Sequence, residues 1–314
     1  MASSRPDEGY RPPQCMVLVK QVPDTRSVSG EVMTPEGTMN RSSLPAIFNP
    51  EDLHALEMAL QVKEQYGGQV TVLTMGPLQA AAVLREALFR GADRVILVSD
   101  RKFAGADTQA TSYTLAKAIE KAAESAGESK AFDLILCGRQ AIDGDTAQVG
   151  PQVAEKLDLP QITYAESIVE FNGQEVIVQR AFEQGTELVR CRLPALLTVV
   201  ASANRPRPAS ARKRIQYKLA AAPHEVPGLL KKYPDFGETD TLESYLSEHN
   251  LHIPVWTAAD LEVDESQIGL AGSPTQVYKV NFVVLEGSES KEVQPTPEGI
   301  KALIQELIQE YIVG

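Results

Sequence analysis

Basic charge, cysteine and long apolar runs are what this 314-residue sequence has least of. Lys and Arg number 30 against 42 Asp and Glu, a formal net charge of -12, so the field of the whole protein opposes general attraction to nucleic acid or anionic lipid. The three cysteines, Cys15, Cys137 and Cys191, stand far apart, which excludes a CxxC metal or redox pair and fits a reducing compartment, with the cytoplasm as the expected location. The longest apolar stretch, Leu193 to Ala203, falls short of the ~20 residues that a spanning helix needs. The N-terminal run MASSRPDEGYRPPQ carries Asp7 and Glu8 where a signal would have an apolar core, so neither a membrane span nor a targeting segment is expected. The histidines (His54, His224, His249, His252) lack ligand spacing, and no Ser/His/Asp or Cys/His set stands out. No hydrolytic site, no metal site and no catalytic residue is therefore expected. GxGxxG and Walker sequences are also missing.

What is present is a globular mixture, 43% hydrophobic and 23% charged, of a length that suits one large domain or one domain plus an appendage. From Cys15 to about residue 160, short β-branched runs alternate with longer helical ones, the pattern of βα units and a parallel sheet. CMVLVK (Cys15 to Lys20) reads as the first strand. Asn49-Pro50-Glu51-Asp52 opens a helix, with Asn as N-cap, Pro at the first position and two acids at the positive end of the dipole. Val70 to Met75, Arg94 to Ser99 and Phe132 to Gly138 read as further strands, with helices over Gln79 to Arg90, Asp107 to Ser125 and Thr146 to Leu157. The expected fold class is α/β: a doubly wound, mostly parallel sheet.

After Pro160 the period changes to two. Ile162 to Phe171 and Glu175 to Phe182 flank Asn172-Gly173, a hairpin signal, and with Leu188 to Leu193 and Ala195 to Val200 they read as antiparallel strands added to the sheet. Residues 1–14 are expected as an extension, 15–203 as the nucleotide-binding domain, 204–252 as a basic loop plus acidic insertion, and 253–314 as an extended C-terminal arm with a helix that packs on a partner. Five of the ten residues from Arg205 to Arg214 are basic. The acidic stretch after them, about Pro223 to Leu251, reads as a solvated loop.

The strongest local signal is the run from Gly138 to Val149, Gly138-Arg139-Gln140-Ala141-Ile142-Asp143-Gly144-Asp145-Thr146-Ala147-Gln148-Val149, where a buried strand runs out into a helix start. Ligands of open α/β sheets bind beyond the carboxyl ends of the strands, and a helix N-terminus offers free N–H groups and a positive dipole to phosphates. Gly138 and Gly144 allow close backbone approach, and Thr146 and Gln148 add polar partners. The same run reads equally as a polar turn with Asp145 or Thr146 as an N-cap. The end of the first strand, Lys20 to Thr25, and the helix start at Asn49 fall on the same rim, and three converging loops make a nucleotide-shaped cleft.

VKQVPDT (Val19 to Thr25), NPEDLHALEMAL (Asn49 to Leu60), TMGP (Thr74 to Pro77), LREALFRGADRVILVSD (Leu84 to Asp100) and GRQAIDGDTAQVGP (Gly138 to Pro151) together resemble the beta subunit of electron transfer flavoprotein. The similarity covers about residues 14 to 215 and resumes near Ile253. It implies that the doubly wound α/β sheet is of adenine-nucleotide-binding type, in half of a heterodimer that pairs with an alpha subunit holding one FAD and binds AMP or a second FAD in its own cleft. Carried over by position, that cleft uses Leu18, Asn49, Pro50, Glu51, Asp52, Met75 and the run from Gly138 to Val149. Asn40-Arg41, the Asp143 to Thr146 run, Ile253 to Thr257 and Gly269 to Thr275 look like the electron-bifurcating branch, which implies FAD here, NADH as hydride donor, a ferredoxin- or flavodoxin-type low-potential acceptor and a flavin-dependent dehydrogenase. Val22, Pro23, Asp24, Thr25, Asn40 and Arg41 are then expected near the flavin ring or NADH. Arg207, Arg212 and Lys213 match the loop by which the family recognises dehydrogenases. The alternatives are an electron-relay subunit with structural AMP and a stand-alone adenine-nucleotide-binding regulator.

Overall fold

A computed structural model describes residues 11–24, 45–125, 132–275 and 292–309. In chain order the elements are β1 (Gln14–Val19), β2 (Gln21–Pro23), β3 (Ala46–Phe48), α1 (Pro50–Tyr66), β4 (Gln69–Met75), α2 (Ala81–Arg90), β5 (Arg94–Val98), α3 (Thr108–Ser125), β6 (Leu134–Gly138) and α4 (Val149–Lys156). They continue with β7 (Gln161–Phe171), β8 (Glu175–Phe182), β9 (Gly185–Arg192), β10 (Ala195–Val199), α5 (Ala211–Gln216), α6 (Val226–Lys232), α7 (Thr239–Glu248), β11 (Val255–Trp256) and α8 (Pro297–Gln309). The sheet has nine strands in the order β11-β5-β4-β1-β6-β10-β7-β8-β9. Every pairing from β11 to β7 is parallel, and β8 and β9 extend the sheet antiparallel.

Strand periodicity sorts the core onto the two faces. Cys15, Val17 and Val19 of β1 pack with Ala55 and Leu56 of α1 and Leu84 of α2 on one side. Met16 and Leu18 pack with Leu115 and Ile119 of α3 and Val153 of α4 on the other. A central parallel strand is covered on both sides, which is why β1 reads as an unbroken apolar run. β4 and β5 lie on one flank of β1 and β6 on the other, so the winding reverses between β1 and β6, where an open α/β sheet leaves a crevice.

Two sequence expectations are corrected here. Ala195 to Val200 does not join the antiparallel extension; β10 inserts between β6 and β7, parallel to both. All five of its residues are buried, so its continuous apolar composition is that of an interior strand covered on both faces. The acidic stretch is not a solvated loop either. α6 and α7 form there, and Val226, Leu242, Leu246, Leu251 and Ile253 enter the same core as α1 and α2. Leu242 and Leu246 lie four residues apart on one helical face, which lets that face be apolar while the acids stay outside. β11 then pairs with β5 at the sheet edge.

Two compact units divide the chain, the second made of residues 33–39 and 278–314. Its described part is α8 with the residues just before it; Ile300, Ile304 and Ile308 form an exposed apolar stripe on that helix.

Candidate functional site

The crevice at the winding reversal is a cavity of about 940 Å³ beyond the carboxyl ends of β1, β4, β5 and β6. Leu18, Met75, Phe103 and Leu115 give it apolar walls, and the run after β6 gives it a polar one. Of the residues expected in the cleft, Leu18, Asp52, Met75, Gly138, Arg139, Gln140, Ala141, Gly144, Asp145, Thr146, Ala147, Gln148 and Val149 line it.

Asn49, Glu51 and Asp143 do not line the cavity; they hold the lining loop from behind. Asn49 is fully buried, and its amide donates to the Gln140 carbonyl (2.9 Å) while its Oδ1 accepts from the Ile142 N–H (3.2 Å). Its side chain caps no backbone N–H of the first turn of α1 and instead joins this loop and the Asp52 carboxylate, so the expected N-cap role passes to a tertiary one. Glu51 accepts from the Arg139 guanidinium (2.9 Å) and the Gln140 N–H (3.1 Å). Asp143 pairs with Lys20 at 2.8 Å, tying the loop to the exit of β1. Pro50 fixes the first turn of α1, and its ring faces a smaller groove instead.

Asp52 occupies the junction itself. Its Oδ2 accepts from the Lys20 N–H (2.8 Å) and its Oδ1 from the Gly138 N–H (3.0 Å), so one carboxylate joins the ends of β1 and β6. Burial pushes its pKa up to about 7, against the opposing pull of the Lys20 N–H, the Asn49 amide, the Gly138 N–H and the Lys20 charge. The start of α1 lies so close to the end of β6 that a Cβ at Gly138 would lie 2.6 Å from Asp52 Oδ1 and 2.7 Å from the Glu51 carbonyl carbon. Cys137 and Cys15 are buried thiols; burial pushes Cys15 up to about 12 and Cys137 up as well, which leaves neither a nucleophile at neutral pH.

Between β6 and α4 the backbone turns unusually. Asp145 (φ 50°) and Ala147 (φ 53°) are left-handed, a conformation that costs a residue with a Cβ about 1 kcal/mol or more. Gln148, which follows, is right-handed (φ -97°, ψ -31°). A left-handed residue next to a right-handed one turns successive N–H groups toward one concave side, the arrangement that binds anions. Gly144 faces open space, since a Cβ there would meet no protein atom within 4 Å. The expected closing helix starts three residues late, at Val149, because this turn takes the residues before it.

Sequence reasoning missed the opposite wall. Ser99 to Arg101, Phe103 to Thr108 and Thr111, from the exit of β5 and the first turn of α3, line the cavity, and so does Thr257 after β11. Thr108 Oγ1 donates to Gln148 Oε1 (3.0 Å), bridging the two walls. Asp107 caps α3 through the Ala110 N–H (3.0 Å) and also accepts from Thr275 Oγ1 (2.7 Å), so the segment after β11 straps this wall in place. The alignment of β5 beside β4 would have pointed to it, since adjacent parallel strands open on one rim. Val22 is buried in the small β2–β3 sheet, and neither it nor Pro23 nor Asp24 lines the cavity. Thr25, Asn40 and Arg41 lie outside the described residues.

Arg207 lies on the outer surface of α1. Its guanidinium donates to Glu57 (2.7 and 2.9 Å) and to Glu64, and its backbone N–H also reaches Glu57 (3.1 Å). Arg212 is exposed and Lys213 partly exposed on α5, beside Ile215, which is 78% exposed. Among the described residues no helix is long and apolar enough to cross a membrane, and no cluster of His, Cys, Asp or Glu could hold a metal.

A doubly wound α/β sheet with a cavity at its winding reversal has the form of the ligand-binding proteins of open α/β type. Residues 36–224 match the electron transfer flavoprotein domain. The chain is 40% identical over 298 residues to the electron transfer flavoprotein subunit beta of Thermoanaerobacterium thermosaccharolyticum, covering 95% of this chain and 99% of that one. It is 42% identical over 265 residues to the caffeyl-CoA reductase-Etf complex subunit CarD of Acetobacterium woodii (84% and 86% covered). Against the acryloyl-CoA reductase electron transfer subunit gamma of Anaerotignum propionicum the identity is 38% over 306 residues (95% and 98% covered). The chain belongs to the electron transfer flavoprotein family, on its beta-subunit side.

Proposed function

We propose that the cavity holds FAD and that the chain is the NADH-oxidising half of an electron-bifurcating flavoprotein, paired with an alpha subunit and serving an acyl-CoA-type dehydrogenase and a ferredoxin- or flavodoxin-type carrier. The volume carries this reading. At about 940 Å³ the cavity lies near the top of the roughly 300–1,000 Å³ range of small-molecule sites, which favours the larger of the two candidate nucleotides. The names of the reductase-associated relatives support the choice of partner. When bound, FAD supplies the exchange of a hydride for single electrons. The residues of this chain do the rest: the Ala147–Gln148 turn and the start of α4 face the diphosphate, Leu18, Met75, Phe103 and Leu115 keep water from the ring system, and Glu51, Asn49 and Asp143 fix the loop in advance. The resemblance to the bifurcating branch assigns Asn40 and Arg41 to the NADH side of the site.

Anaerobic titration of the purified complex with NADH tests the reading. Bleaching of a flavin band by stoichiometric NADH is expected; a complex that holds AMP and ignores NADH is a relay subunit instead. Arg41→Ala should slow that reduction while FAD is retained, and an unchanged stopped-flow rate would remove Arg41 from the site.

Dehydrogenase docking belongs to the basic segment. Because Arg207 is already neutralised by Glu57 and Glu64, the free charge is that of α5. Arg212→Ala with Lys213→Ala is expected to slow electron transfer to the dehydrogenase roughly 3- to 10-fold at low salt and to flatten its salt dependence, with NADH reduction unchanged. Equal transfer rates at low salt would eliminate the docking role.

A further inference from the structure

We propose that Asp52 is the positioning residue of the cavity: its carboxylate clamps the exits of β1 and β6 together and so presents the loop after β6 to the nucleotide. The inference rests on the reading of the cavity as a nucleotide site. It assigns to Asp52 a task performed on the protein's own backbone instead of on the ligand.

The geometry is specific. Each oxygen takes one strand-end N–H, at 2.8 Å from Lys20 and 3.0 Å from Gly138. Lys20 and Gly138 both line the cavity, and the loop begins at Gly138. The carboxylate is 6% exposed, and the donors bonded to it are uncharged. The charged and titratable groups around it are already engaged: Lys20 Nζ with Asp143, and Arg139 with Glu51 beside it on α1. Cys137, on β6, is a buried thiol held in its neutral form. The charge on Asp52 is favoured mainly by the two strand-end amides and the Asn49 amide, with the Lys20 charge a lesser contribution.

A protonated carboxyl has one oxygen occupied by hydrogen and cannot accept well from both amides, so acidification opens one side of the clamp. The carboxyl titrates near neutrality because burial opposes its charge. If the closed clamp is the binding form, affinity holds above pH 7 and falls below it. One linked proton with a midpoint at about 7 weakens binding roughly tenfold between pH 8 and pH 6. Plain repulsion between the carboxylate and the ligand's phosphates predicts the opposite sign.

The test is a titration of FAD, whose phosphodiesters do not ionise in this range, into the nucleotide-stripped complex of the full-length chain at pH 6, 7 and 8. Binding is followed by flavin fluorescence and calorimetry, and the component that Gly144→Val removes is scored. Wild type should weaken roughly tenfold from pH 8 to pH 6. Asp52→Asn sets an N–H₂ against one of the two amides, and it should bind at pH 8 at least as weakly as wild type at pH 6, with a flat profile. Tighter wild-type binding at pH 6, or Asp52→Asn affinity equal to or above wild type at pH 8, would overturn the clamp while leaving the site intact. Absence of a Gly144-sensitive component at every pH would overturn the nucleotide site itself, and the clamp with it. Should Asp52→Asn fail to fold, the sign of the wild-type profile decides.

Discussion

Gly144→Val is expected to fold as wild type does and to lose its nucleotide. The added side chain enters open space, with no protein atom within 4 Å of the new Cβ and no left-handed backbone to strain. It enters the cavity, though, beside Asp145 and Thr146, on the wall proposed to face the diphosphate. Overfilling a matched site costs about 1–3 kcal/mol, which is roughly five- to 150-fold in affinity. Gly138→Ala makes the contrast. Its Cβ would press on backbone atoms of Glu51 and Asp52 at 2.7 and 2.8 Å, so fold stability and nucleotide should fall together. Nucleotide extracted from the purified variants and their melting temperatures separate the two effects. A Gly144→Val protein with full nucleotide content would show that the phosphates lie elsewhere.

Arg207→Ala should destabilise the fold by about 2–4 kcal/mol at neutral pH, the cost of leaving a largely buried carboxylate without its counter-charge. Glu57 is that carboxylate, 6% exposed and bonded to Arg207 through both oxygens. Burial raises its pKa, and the hydrogen bonds and charge of Arg207 more than reverse this, holding it below the ordinary range. A group with a depressed folded-state pKa stabilises above its unfolded value and loses that contribution as pH falls through the folded one. The gap between wild type and Arg207→Ala should therefore be full at pH 7 and shrink below about pH 4. Arg207→Lys should restore part of it, because an ammonium cannot reach Glu57 and Glu64 with a planar fork. Chemical unfolding at both pH values measures the gap; equal stabilities at pH 7 would remove the structural role and return Arg207 to docking.

The sheet was readable because its parallel strands are buried on both faces and its helices carry clear starts and stops, as at Asn49-Pro50 and Gly67-Gly68. β10 was not, since its place between β6 and β7 depends on a return across the hairpin that no local pattern records. α6 and α7 escaped notice because their apolar residues are few and their acids many; Leu242 and Leu246 count only once the core of α1 and α2 is there to receive them. In the site, the polar wall from Gly138 to Val149 followed from glycines and a strand exit. The wall from Ser99 to Thr111 did not, because Asp107 and Thr275, 168 positions apart, must meet before it closes.

The most direct measurement is the nucleotide content of the chain purified with its partner subunit, by acid extraction and absorption spectrum. The account predicts two FAD per complex and no AMP, with one of the two lost in Gly144→Val. One FAD with one AMP, or a flavin count that Gly144→Val leaves unchanged, would contradict it.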